Sequence, residues 1–206
     1  DPLPAGASVE RAFVRRAQSL PDGSQRALLL AAASTSSEVE TIVAALVALG
    51  LDASTLEPAE DAGLIALVDG QLEFRHPLVR SAVYHAAAPS DRRATHRALA
   101  DALAESPHDE ARAWHLAGAA LGPDEEVAAS LVAVASRARG RNAHATAGSA
   151  LERAAQLTPD SADRLERLTL AADAAWAGGD PVRAVALLDV ADAIAVAARD
   201  RARLLH

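Results

Sequence analysis

Seven histidines, at positions 76, 85, 96, 108, 115, 144 and 206, are the side chains of this sequence best suited to proton transfer or metal binding. Their spacing limits that chemistry. No two stand four apart on a helix beside a carboxylate, and no HExxH occurs, so the zinc-binding pattern is missing. His108 and His115 are seven apart and could share one helix face. A serine nucleophile would need a GxSxG elbow, and there is none. All twenty basic residues are arginines, which excludes a P-loop lysine, a Schiff-base lysine and a lysine general base. Cysteine is also absent, removing disulfides, thiol nucleophiles and cysteine-bound zinc, and agreeing with a cytoplasmic setting. The acidic groups at 57–61 and 124–126 fall at helix starts, where carboxylates complement the helix dipole rather than form a catalytic pair. No nucleophile, base and oxyanion set can be assembled from these residues, so the chain is not expected to be an enzyme or to hold a metal.

One histidine stands apart. Asp69-Gly70 is a hairpin turn, Leu72 and Phe74 alternate with Gln71, Glu73 and Arg75, and Pro77 suits the first position of a helix. His76 therefore lies at a helix N-terminus, where free N–H groups attract anions, with Arg75 and Arg80 adding positive charge. Two readings fit. Either His76 caps the helix and packs on the hairpin, or it touches a phosphate. Trp114, His115 and Trp176 likewise either line an effector or partner groove or are packing residues.

The elements that must position these residues are mostly helices. Half of the 206 residues are apolar but only 2% are aromatic, so alanine and leucine carry the burial, which favours closely packed helices. No apolar run approaches the roughly 20 residues of a membrane span. The net charge of −8 divides into nine Arg against fourteen acids over 1–106 and eleven Arg against fourteen acids over 107–206, so neither half has a basic footprint for nucleic acid. A chain without methionine, opening on Asp1-Pro2-Leu3-Pro4, reads as part of something longer.

Ser8 opens a helix with Val9, Phe13, Ala17 and Leu20 on one face, and the next runs over about 24–33. Ser37 with Glu40, and Ser54 with Glu57, have capping-box spacing, and Gly63 suits the end of the short helix before the hairpin. Helix, helix, short helix and hairpin is the winged-helix order. The short helix in the recognition position offers Glu57, Glu60 and Asp61, which DNA would repel. Ser106-Pro107 caps a further helix, and from 123 onward the pattern is helical. ATAGSALERAAQL and VRAVALLDVADAI align with Ala147 on Ala184, Leu151 on Leu188 and Ala154 on Ala191, a period of 37. That is near the roughly 34 residues of a tetratricopeptide hairpin. The expected fold is therefore mainly α: a winged-helix module with a small β-hairpin, plus linking helices, over 1–106, then an α-solenoid of tetratricopeptide-like hairpins over 107–206, cut short at its C-terminal end.

The run FRHPLVRSAVYHAAAPSDRRATHRALADAL, with RALLLAAAS before it and LERAAQLTPDSADR after it, resembles the region following the nucleotide-binding module in large LuxR-type, MalT-like regulators of the STAND class of signal-transducing ATPases. The likeness extends to the opening DPLPAGASVERAFVRRA. It implies a full-length order of P-loop ATPase, winged helix, helical repeats and a C-terminal DNA-binding helix-turn-helix, of which this chain holds the middle. No G-x-x-x-x-G-K-[ST] occurs here, so ATP or ADP would belong to the P-loop domain in cis, with no cofactor held by this segment alone. A small-molecule or protein effector would bind the repeats, DNA would be met only through the distant helix-turn-helix, and no membrane would be involved. Related STAND proteins carry a Met-His-Asp motif whose histidine touches the diphosphate of ADP. Phe74-Arg75-His76-Pro77 resembles it, with His76 on the motif histidine, Arg75 at the Met position and Pro77 where the carboxylate would stand. The resemblance thus implies a nucleotide-sensing role for His76 and Arg75.

Overall fold

In the computed structural model, residues 5–105 and 109–204 are described, with side chains from 12–105 and 109–197. The fold is mainly helical with a small two-stranded antiparallel sheet. The chain divides into two compact units, Asp1–Ala119 and Ala120–His206, later than the 106/107 boundary read from the sequence. The reason is α7 (Asp109–Ala119), which packs on α6 (Pro89–Ala102) and so belongs with the first unit. Ser106-Pro107 lies outside the described residues.

The first unit is built on α2 (Asp22–Ala33), whose apolar run RALLLAAA is so dense that Ala27 through Ala33 are all buried. Around it stand α1 (Ala5–Gln18), α3 (Val39–Ala48), α5 (Pro77–Ala86) and α6. Leu28, Leu30, Ile42, Leu46, Leu56, Leu64, Ile65, Val79 and Leu99 form its centre, each essentially inaccessible to water. The helices are short of aromatic bulk, so burial of many small and aliphatic side chains supplies the stabilisation.

The hairpin pairs β1 (Ile65–Val68) with β2 (Gln71–Phe74), in the register Ile65↔Phe74 through Val68↔Gln71. Asp69 and Gly70 both have positive φ, 50° and 75°, as the tight twist-matching hairpin turn requires. Leu72 and Ile65 are buried, whereas Leu67 and Val68 at the tip are exposed. The capping boxes expected at the third and fourth helices do not form. Ser37 is drawn instead into pairing with β2: its carbonyl accepts from the Leu72 N–H at 2.7 Å, its hydroxyl bonds to Gln71, and Glu38 makes an isolated bridge to Gln71. Glu38 becomes the residue before α3, with no side-chain cap. Asp52, two residues ahead of Ser54, accepts from the Ser54 N–H at 2.9 Å and starts a 3-10 turn over Ala53–Leu56 that runs on into α4 (Glu57–Asp61). Gly63 has φ 65° and ends α4 as expected.

In the second unit α8 (Glu125–Gly140), α9 (His144–Leu157), α10 (Ser161–Ala177) and α11 (Pro181–Leu204) pack in chain order. Asp124 caps α8 by accepting from Val127 N–H at 3.1 Å, and Asp160 caps α10 by accepting from the Ala162 and Asp163 N–H groups. Gly148 lets α9 approach α10: a Cβ there would lie 3.6 Å from the Ala171 carbonyl oxygen. Of the pairs aligned at the 37-residue spacing, Ala147 and Ala184 are both buried, as are Ala154 and Ala191. Leu151 and Leu188 differ, at 2% and 44% exposed, because α9 is flanked by α8 and α10 whereas α11 packs chiefly on α10.

Candidate functional site

The hairpin delivers the chain directly into α5, and the junction is fixed by His76. Its backbone is extended, its Nδ1 accepts from the Leu78 N–H at 3.1 Å, and its ring lies against Phe13 of α1 with centroids 5.4 Å apart. The residue is nevertheless exposed, and Nε2 has no hydrogen-bond partner among the described residues. Arg75 is exposed beside it. Arg80 is already engaged: its Nε donates to the Ala32 carbonyl at 2.9 Å and its guanidinium also reaches the Ser34 carbonyl, closing the C-terminal end of α2. The side chains exposed at this helix start are therefore His76 and Arg75, while Arg80 serves the packing of α5 on α2.

A second constellation joins three helices and has no counterpart in the sequence reading. Tyr84 of α5 places its Oη 2.8 Å from His96 Nε2 on α6, and His96 Nδ1 stands 2.9 Å from His115 Nδ1 on α7. The two rings are tilted at 38° with centroids 5.2 Å apart. His115 is only 2% exposed, and its Nε2 is buried without a partner. Gly118 of α7 allows this packing, since a Cβ there would come within 2.8 Å of the His96 ring. Arg92 stands over the Tyr84 ring at 5.5 Å.

Both imidazoles are pushed toward their neutral forms. Burial pushes His96 below its ordinary value and the Arg92 charge pushes the same way; burial lowers His115 to about 4, helped by His96. Two neutral rings meeting Nδ1 to Nδ1 share a single proton. If His115 Nδ1–H donates to His96, then His96 Nε2–H donates to Tyr84 Oη and the buried His115 Nε2 is a bare lone pair. The reverse order would strand an N–H at that site, and buried orphan N–H groups are the rarer defect, so the first order is preferred. The sequence signal was too weak to find this pair: the two residues are nineteen apart, on different helices.

The three residues expected at an effector groove do not share one compact unit. Trp114 is half-buried and His115 buried on α7 of the first unit, whereas Trp176 is 68% exposed near the end of α10 in the second. His115 faces His96 rather than open solvent. His108 lies outside the described residues. Two cavities lie elsewhere. One of about 420 Å³ lies among α1, α2 and the α5–α6 turn, with Leu28, Leu29 and Val83 in its wall and Asp22 and Asp91 at its rim. Another, of about 580 Å³, lies between the start of α10 and the middle of α11. Among the described residues no three histidine, aspartate or glutamate side chains come together as a metal-ligand group, and no single helix is long and apolar enough to cross a membrane. Comparison of the chain with family models, with curated proteins and with solved structures gave no match.

Proposed function

We propose that the chain is the signal-sensing and regulatory segment of a cytoplasmic, multidomain, ATP-dependent regulator of the LuxR type, coupling effector or partner binding on helical repeats to a nucleotide switch and a DNA-binding domain that lie elsewhere in the parent protein. The observation that carries this reading is the junction at His76. Its Nδ1 is fixed by the Leu78 N–H, which holds the ring still while Nε2 remains exposed beside Arg75. A ring so held can donate to a diphosphate presented by a neighbouring domain at the positive end of α5.

The order α2, α3, α4, β1, β2, with residues 37–38 pairing onto β2 before α3, supports a winged-helix module in the first unit. Its α4 is unsuited to DNA: Glu57 and Asp61 are exposed, and Glu60 accepts from the Leu67 N–H of β1 at 3.3 Å. The four packed helices of the second unit support tetratricopeptide-like repeats. Effector binding would shift the parent protein between an ADP-held and an ATP-held state in proportion to its preference for one of them. In the full-length protein, His76→Ala should raise activity without effector at the controlled promoter. Basal activity equal to wild type would contradict the latch.

A second reading, an adaptor that binds a protein segment without nucleotide coupling, is favoured by the exposed Trp176, Val182 and Val185 of the second unit. A Walker motif upstream and a helix-turn-helix downstream in the parent reading frame support the regulator. A parent lacking both supports the adaptor.

A further inference from the structure

We propose that the His96–His115 contact is a proton-operated latch: while both rings are neutral they hold α7 against α6, and a proton added to the pair frees α7 from the first unit. The two Nδ1 atoms meet at 2.9 Å with only one proton between them, so the bond exists only while at least one ring has an unprotonated Nδ1. A first proton, arriving at the orphan His115 Nε2, leaves that bond in place but creates a buried imidazolium whose new N–H has no acceptor among the described residues, and this uncompensated charge is what drives α7 out.

Among the described residues no carboxylate bonds to either ring. α5 contributes the Tyr84 hydroxyl to His96, with His85 edge-on to the Tyr84 ring at 5.7 Å. α6 contributes Arg92, which has the wrong sign. α7 itself carries Arg112, also cationic, and the acidic Asp109 and Glu110 in its first turn, more than a turn before His115. α2 and α3, which pack on α6, supply neither a hydrogen bond nor a charge to either ring among the described residues. Release of α7 into water is the relief left.

α7 depends on one neighbour. Its principal packing partner is α6, and the chain passes from it into the second unit at Ala120. The buried polar atoms without partners among the described residues, Arg112 Nε and His115 Nε2, both belong to it. Gly118 brings its backbone hard against the His96 ring, so the ring pair and the helix contact are one structure.

The test uses the whole chain carrying Trp176→Phe, which leaves Trp114 on α7 as the sole tryptophan. Trp114 emission and amide protection factors over 109–119 are followed from pH 8 to pH 4, with α2 amides as the reference for global unfolding. Protection of α7 should hold above pH 6.5 and fall by about tenfold per pH unit below it, ahead of α2 and reversibly, as uptake of one proton requires. His115→Gln should abolish that early step. Loss of α7 protection only together with α2, or an unchanged step in both His115→Gln and His96→Gln, overturns the latch. Should the variants not fold, the wild-type imidazole titrations decide it by NMR. Opening of α7 in step with protonation of His96 or His115 supports the latch, and titration of both rings with α7 still protected overturns it.

Discussion

His115 is an ordinary residue by sequence and an unusual one in place. It is buried, and its polar contact among the described residues is another histidine, so folding favours its neutral form. The sign of the pH dependence follows. A histidine whose folded value lies below the ordinary 6.5 contributes stability that is fully present above that value and is lost as pH falls from 6.5 toward about 4. The glycine beside it is as specific. In Gly118→Ala the new methyl would need to occupy space within 2.8 Å of the His96 ring, so either the ring or α7 must move. The expected cost is about 1–3 kcal/mol of stability, measured by urea unfolding, with the His96 imidazole resonance displaced as well. A stability equal to wild type would mean that the ring has room it does not have here.

At the scale of elements, the features legible in the sequence were those decided within a few residues. Asp69-Gly70 needs positive φ at both positions, and Gly63 needs it at the end of α4; both are local chemistry, and both occur where the residues stand. Pro77 at the first turn of α5 with His76 before it is likewise local. The helix starts were misplaced where a distant or competing partner intervened. Ser37 has the right neighbour for a capping box, but Gln71 and Leu72 of β2 claim its hydroxyl and carbonyl. Ser54 loses the role to Asp52, two residues earlier, whose carboxylate accepts from both the N–H and the hydroxyl of Ser54 and starts the turn there. The Asp124 cap was within reach of sequence reasoning, since an Asp just before two glutamates and an apolar stripe is a strong helix start. Asp124→Ala should lower the stability of the second unit by about 1 kcal/mol, read from thermal unfolding, whereas Asp124→Asn should keep most of it. Equal losses in both would show that charge rather than the cap is at work.

On the scale of the whole molecule, the compact units meet at Ala119 and Ala120, whereas the sequence reading placed its division at 106/107. Ser106-Pro107 is strong punctuation, but a break between helices is not a break between cores, and α7 returns to α6 after it. The histidine pair was invisible because nothing in a one-dimensional pattern brings residues of α6 and α7 together. The 37-residue likeness was visible because small residues at helix contacts leave a periodic trace, as at Ala147 with Ala184. What remains is whether the first unit meets a nucleotide. Its acidic α4 is unsuited to DNA by charge, and the exposed imidazole of His76, fixed through Nδ1, stands with Arg75 at the positive end of a helix. The direct measurement is ADP affinity of the full-length parent protein, wild type against His76→Ala, by calorimetry in the same buffer. Loss of a hydrogen bond to a diphosphate oxygen should weaken ADP by about tenfold or more while leaving the fold intact. An unchanged affinity would place His76 in the structure of the hairpin alone and contradict the nucleotide latch.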